Sequence, residues 1–544
     1  MVMLRRVSCA VGAVSTILWF AGSVMANPQQ AETQEAKAMD GPKTVAEATG
    51  FKKTSTHVDV LAFLDKLRGL PQAARLHRMT LGKSVEGREL PLLVVAEPPL
   101  TSPQAVRESG KLRIFVNANI HAGEVEGKEA VQMLLREIAH GGHADFLRHA
   151  VLFFVPVFNA DGNERFDKRN RASQNGPDGG VGIRPNADGY DLNRDFIKLD
   201  TPEARALVRA FGVWDPHVFM DLHTTNGSHH GYHLTYAPSL ATNVDPALRD
   251  FNRKLFLPDI RRETSKRHAF RTYDYGNFAG RVERRWSTYD HRPRFGTNCF
   301  GLRNRIAVLS EAYSCISFEE RIKVTRAFVI ETIRSAVAHR AKIVELTAAA
   351  DKRAEQGGVT FGYASRLEDA WQDDVLVGSV KRVRIEGAGI RVVANPDFET
   401  KRMPVQVAFV SDKSLDLPQA WAIQAPSERA IEALTIHGIA FERLSEPREV
   451  GAEVFEITKA STARREFQKH NERRFEGKWV AKRLRLGKGT LLVSARHRLA
   501  RLAAQLLEPQ SEDSLATWNY FDEDLFPDEK NRVPDFPVIR VTGA

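Results

Sequence analysis

A histidine and a glutamate stand three residues apart in NANIHAGEVEGKEA, residues 117–130, between an apolar run and a helix-like one. A neutral imidazole and a carboxylate at that spacing can converge on one ion, and zinc accepts N and O donors at about 2.0–2.2 Å. His121 and Glu124 form the only H-x-x-E pair among the 17 histidines. A polar loop is the alternative reading of that pair alone. His223, however, follows directly on the short apolar run VFMDL. Three protein ligands with a fourth position left for water is the usual arrangement of a catalytic zinc, so His121, Glu124 and His223 make a His₂Glu set. His229, His230 and His233 are rivals by residue type; the first two sit further into the loop and read as ordinary loop histidines.

Two further segments carry groups suited to chemistry. In ADGYDLNRDF, residues 187–196, Arg194 can hold a carboxylate by a bidentate pair and Asn193 can add an amide hydrogen bond, which is what recognition of a free C-terminus requires. In NRIAVLSEAYSC a buried strand delivers Glu311 at its carboxyl end. There it either caps the following turn or faces a cleft, and periodicity does not choose between the two.

Elements must bring these groups together. ELPLLVVAE, KLRIFVNANI and AVLFFVPVFNADG read as buried strands, whereas HVDVLAFLDKLRGL and GKEAVQMLLREIAHGG carry helical spacing. Helices interleaved with apolar strands argue for an α/β domain, a mixed sheet flanked by helices. In such sheets ligands gather beyond the strand ends, where His121, His223 and Glu311 all fall.

These segments together resemble the zinc carboxypeptidase family of the carboxypeptidase A type over roughly residues 55–340. GKSVEGRELPLLVV is similar to that family's early hairpin, HAGE to its H-x-x-E metal motif, FNADG to its Asn-x-Asp-Gly turn, DLNRDF to its Asp-x-Asn-Arg motif and SEA to the segment with its catalytic glutamate. The resemblance implies one Zn²⁺ per chain held by His121, Glu124 and His223, with Asp191 orienting the His121 ring from behind. It implies that Asn193 and Arg194 grip the substrate's terminal carboxylate, that Glu311 is the general base, and that an arginine upstream of Asn193 steadies the oxyanion. FDKRNRASQNGP offers Lys168, Arg169 and Arg171 for that role, and Arg171 is the one assigned here. Asp195 stands where digestive members commonly have a second asparagine, which would make the site more negative beside the clamp. The substrate-binding tyrosine is left open among Tyr273, Tyr275 and Tyr289. The implied activity is hydrolysis of the C-terminal amide bond of peptides. Alternatives are an amidohydrolase acting on small N-acyl amino acids or peptidoglycan stem peptides, and a non-catalytic peptide or cell-wall binding protein.

At 544 residues the chain exceeds a single core. Residues 1–26 have the parts of a secretory signal, with Arg5 and Arg6 ahead of an apolar stretch and small residues before a cut after Ala26. This implies a periplasmic or secreted protein with no later membrane span. Residues 27–50 read as a flexible lead-in, 51–345 as the catalytic domain and 346–544 as a smaller α+β accessory domain without a metal or nucleophile constellation. In that last part VGSVKRVRIEGAGIRVVANPDFETKRMPVQVAFV reads as short alternating strands, and Trp518, Tyr520 and Phe521 as packing. The formal net charge of +10 is spread without long Lys/Arg blocks, the pattern of a solvated surface rather than a nucleic-acid site. Cys299 and Cys315 fit neither a zinc ribbon nor a disulfide framework, although an oxidising compartment would allow them to pair.

Overall fold

Runs such as LRIFVNA and VFMDLHTT form strands because β-branched and aromatic side chains suit a pleated surface covered on both faces. In the computed structural model, residues 41–543 are described apart from 226, 281–283, 387–388, 425 and 527–534. The leader with its cut after Ala26, and residues 27–40, lie outside the described residues.

The central sheet is built from β1 (Leu76–Lys83), β2 (Glu89–Val95), β3 (Leu112–Ala118), β4 (Ala150–Val155), β5 (Val218–Thr225), β6 (Leu234–Pro238) and β7 (Thr272–Asp274). After β8 (Asn277–Ala279) and β9 (Arg285–Ser287), which leave for another sheet, the chain returns as β10 (Ile306–Tyr313). The order is β1-β2-β4-β3-β5-β10-β6-β7. Strands β4, β3, β5 and β10 run parallel, and antiparallel pairs flank them, so the sheet is mixed. Parallel neighbours need crossovers: α1 (Glu126–Ala139) connects β3 to its neighbour β4, and α2 (Pro202–Trp214) lies on the way from β4 to β5, on the other side of β3. Every residue of α1 is buried. On one side it meets the sheet, and on the other the long helix α3 (Phe318–Ala338) and residues 41–50 cover it.

Residues 41–50 depart from the flexible lead-in expected of them. Thr44 caps the short helix Val45–Ala48 in a reciprocal capping box, Ala46 is fully buried, and Arg136 of α1 clasps the Glu47 carboxylate with two bonds of 2.7 Å.

The C-terminal part continues the fold. β11 (Thr360–Leu367) pairs with β14 (Phe409–Asp416). Between them β12 (Trp371–Ile385) and β13 (Gly389–Gln406) form a hairpin of 15 and 18 residues, in place of the short strands expected: β12 runs on through Gly378 and Ser379, where the pairing shifts register, and β13 through Asn395 and Pro396. The end of β13 pairs in parallel with β9. A six-stranded antiparallel sheet follows, from β15 (Ala420–Ile423), β16 (Glu442–Arg443), β17 (Arg448–Thr462), β18 (Arg473–Leu486), β19 (Leu491–Ser494) and β20 (Val538–Gly543), in the order β16-β19-β15-β20-β17-β18. Residues Gly41–Ala544 make one unit. Phe219 and Phe300 share one contiguous apolar core with Trp421, Leu434 and Leu502, and helix Glu428–His437 lies on α2. Among the described residues no helix is long and apolar enough to cross a membrane.

Candidate metal centre

The strand register decides which side chains meet. β5 and β10 are parallel neighbours with Glu311 opposite His223, so the two side chains share a face. β3 lies on the other side of β5 and ends just before His121. The turn that follows is shaped by Asn119, at φ 63°, whose side-chain amide donates to the carbonyls of Ala122 and Glu124. Asn159 of FNADG braces it from beside, donating to the Arg184 carbonyl and accepting from Gly162 N. Gly162 is required there, since a Cβ would lie 2.6 Å from the Pro185 carbonyl oxygen. Asp161 of the same motif accepts from Ser84 Oγ, Arg88 and Glu86 N, which ties down the β1–β2 hairpin.

His121, Glu124 and His223 come together, all buried, with one ligand atom from each lying within 4.8 Å of the others. His121 Nδ1 is 3.1 Å from Glu124 Oε1, His223 Nδ1 is 2.9 Å from Glu124 Oε2, and the two Nδ1 atoms are 3.2 Å apart. Both rings therefore turn Nδ1 inward. Behind them, His121 Nε2 is 3.0 Å from Asp191 Oδ1 and His223 Nε2 is 3.0 Å from Asp221 Oδ2. A carboxylate behind each ring fixes the tautomer that leaves Nδ1 free as a donor. Two neutral imidazoles and a carboxylate facing one point fit zinc by donor type and count.

Charge is arranged tightly around this point. Burial alone would raise the Glu124 carboxyl, but His121 and Arg171 hold it well below the usual range. Asp191 is lowered in the same way against its burial by His121, Arg194 and Arg184. Glu311 keeps part of its surface open while protein atoms crowd it; desolvation, helped by Glu124, pushes its carboxyl up to about 8 against the pull of His223. Tyr275 and Tyr289 lie near Glu311, their phenols raised by burial and then by its charge, with the two rings edge-on at 5.4 Å. Tyr273 points elsewhere, donating to Asp373 at 2.6 Å.

Asn193 and Arg194, expected to grip a terminal carboxylate, sit on the short helical turn Leu192–Arg194. Asn193 Oδ1 accepts from Gly296 N at 2.9 Å, and its Nδ2 lies 3.5 Å from His223 Nε2. Arg194 stacks over the Phe295 ring at 3.9 Å. Asp195 turns away from the site. It is fully buried and bonded to Lys198, Asp200 N and Thr201 at the start of α2, so it adds no negative charge to the clamp, contrary to expectation.

Of the basic run, Lys168 and Arg169 stay at the surface, Arg169 paired with Asp167. Arg171 enters the site and lies 2.9 Å from Glu124 Oε1. Its path requires Gly123, where a Cβ would meet Arg171 Cδ at 2.4 Å. A second arginine joins it. Arg184 Nε is 2.8 Å from Asp191 Oδ2 and its Nη1 is 3.3 Å from His121 Nδ1. Arg184 and Asp221 belong to none of the motifs singled out in the sequence. Asp221 carried a usable signal, because two residues before His223 on a strand is the same face; Arg184 sits in an irregular loop and offered none. His230 is buried against Tyr313, with ring centroids 4.1 Å apart, and stands outside the metal cluster. Cys299 and Cys315 are both free and buried.

Residues 60–280 match the family described as zinc carboxypeptidase. Carboxypeptidase 2 of Trichophyton equinum is 23% identical over 461 residues, spanning 80% of this chain and 78% of that protein. Carboxypeptidase D of Anas platyrhynchos is 30% identical over 131 residues, 23% of this chain and 8% of that one. Among solved structures, a metallo-carboxypeptidase from Pseudomonas aeruginosa aligns with a TM-score of 0.39 at 17% identity, covering 53% of this chain and 69% of that chain.

Proposed function

We propose that this chain, whose residues 60–280 match the family described as zinc carboxypeptidase, removes C-terminal residues from peptides at the site formed by His121, Glu124, His223 and Glu311. The observation that carries the reading is the convergence of two imidazoles and a carboxylate beside a crowded glutamate on the next strand.

His121, Glu124 and His223 hold one zinc, which when bound supplies Lewis acidity to the scissile carbonyl and makes water a stronger nucleophile near neutral pH. Asp191 and Asp221 keep the two rings aimed. Asn193 and Arg194 bind the terminal carboxylate and so select peptides with a free C-terminus; Arg194 rests on Phe295, which restricts where its guanidinium can swing. Glu311 takes a proton from the attacking water and passes it to the leaving amine. Arg171 and Arg184 supply the positive partner for the developing oxyanion. The guanidinium of Arg171 is shut in against Glu124, and that of Arg184, 38% exposed, reaches from the cleft side. We also infer export, on the strength of the leader-like first 26 residues.

The test is mass spectrometry of the zinc-loaded protein with a peptide mixture, half with free and half with amidated C-termini, beside Glu311→Gln. Loss of single C-terminal residues from the free set alone, absent in the variant, is the expected result. Cleavage of neither set with zinc bound would overturn the peptidase reading and redirect the search to cell-wall fragments and N-acyl amino acids.

A further inference from the structure

We propose that Gln468, at the tip of the hairpin joining β17 and β18, is a positioning residue for the carboxylate clamp, so that part of the substrate site is built from the far end of the chain. The proposal rests on the reading of Asn193 and Arg194 as that clamp.

The turn itself is unusual for its sequence. Phe467 and His470 exchange backbone hydrogen bonds of 2.8 and 3.1 Å around Gln468 and Lys469, a two-residue turn with φ of 53° and 61° at its centre. Such turns favour Asn-Gly, because a Cβ resists the left-handed region. Neither central residue here is Asn or Gly, and a strained conformation of this kind persists only where its surroundings hold it.

What holds it is the active-site loop. Gln468 Oε1 accepts from Asp191 N at 2.9 Å. The Lys469 ammonium lies 4.5 Å from the ring of Tyr190, next to Asp191 in the chain. His470 Nε2 is 2.9 Å from Asp200 Oδ2 on the far side of the same loop. Asp191 is the hinge of the site: its Oδ1 faces His121 Nε2 and also accepts from Asn193 N at 3.0 Å. A bond to its backbone N–H therefore fixes a residue on which both a metal ligand and the clamp depend.

A second anchor comes from the same region by another route. Arg294 is buried, 2.8 Å from Asp513 and 2.7 Å from Glu472, the latter two residues beyond the turn. The next two residues are Phe295, on which Arg194 stacks, and Gly296, whose N–H holds Asn193. Both clamp side chains thus rest on groups that the last hundred residues fasten.

The test compares Gln468→Met, of similar length without an acceptor oxygen, with Gln468→Glu, which retains one, and with Asp513→Asn as an independent probe of the second anchor. KM and kcat are measured on the peptide the parent cleaves best, zinc affinity by chelator competition, and hydrogen exchange across residues 186–196. Gln468→Met and Asp513→Asn are expected to raise KM about tenfold with kcat little changed. Exchange across the loop should speed up in Gln468→Met, and Gln468→Glu should recover most of the parent KM. Should the methionine variant not fold, Gln468→Asn, too short to reach, carries the same expectation. KM, zinc affinity and exchange all indistinguishable from the parent would overturn the proposal if Arg194→Ala raises KM as a clamp residue must. If Arg194→Ala leaves KM unchanged, it is the clamp assignment that fails, and the positioning role falls with it.

Discussion

Three positions at the metal centre have separable jobs. On the proposed mechanism Glu311 takes the proton of the attacking water, so Glu311→Gln should lower kcat by about 10³-fold while leaving zinc affinity intact, read by steady-state kinetics and chelator competition. Asp221 lies 3.0 Å behind the His223 ring and accepts from Asn117 Nδ2 with its other oxygen. Asp221→Asn removes the charge that favours the metal-binding tautomer, and zinc affinity should drop roughly 10- to 100-fold by the same competition measurement. At Gly123 the missing side chain is the functional feature. An alanine there would place its Cβ 2.4 Å from Arg171 Cδ and 2.9 Å from the Gly182 carbonyl oxygen, displacing Arg171 from Glu124. Gly123→Ala should cost about tenfold in kcat/KM, or about 1.4 kcal/mol of transition-state stabilisation; unchanged kinetics would remove Arg171 from the mechanism.

The helix after the clamp carries a titratable strain of its own. Glu203, in the first turn of α2, is fully covered, with Asn186 and Val85 N as weak partners at 3.3 and 3.4 Å. Burial pushes its carboxyl up to about 7. An unfolded glutamate titrates near 4.3, so the folded chain binds the extra proton between about 4.3 and 7 and stability falls as pH rises through that window. Glu203→Gln stays neutral and should flatten the decline, a difference on the order of 2 kcal/mol seen as Tm measured from pH 4 to 8. Elements of this kind also mark what the sequence could and could not convey. Strand ends were legible because apolar runs stop where His121, His223 and Glu311 begin, and the H-x-x-E spacing is local. The pairing of Glu311 with His223 was not, because register between strands more than 80 residues apart is set by the whole sheet. The role of Asp195 was misread for a related reason: its position beside Arg194 suggested the clamp, whereas four bonds to Lys198, Asp200 and Thr201 make it the brace of the α2 start.

Among the described residues one apolar cluster reaches from Phe115 and Phe219 to Trp421 and Trp518, across the boundary near residue 345. Calorimetry should accordingly show one cooperative transition, and limited proteolysis should release no stable fragment ending near residue 345; two separated transitions would restore an independent accessory domain. That continuity has a practical consequence through two buried thiols. Cys299 and Cys315 are free and buried, and burial pushes the Cys299 thiol up to about 12. A thiol so enclosed reacts with alkylating reagents only while the interior is open, and Cys299 sits in the same core as the rest of the molecule. Its rate of labelling under native conditions is therefore a built-in clock for the opening of the entire protein, available without adding any probe.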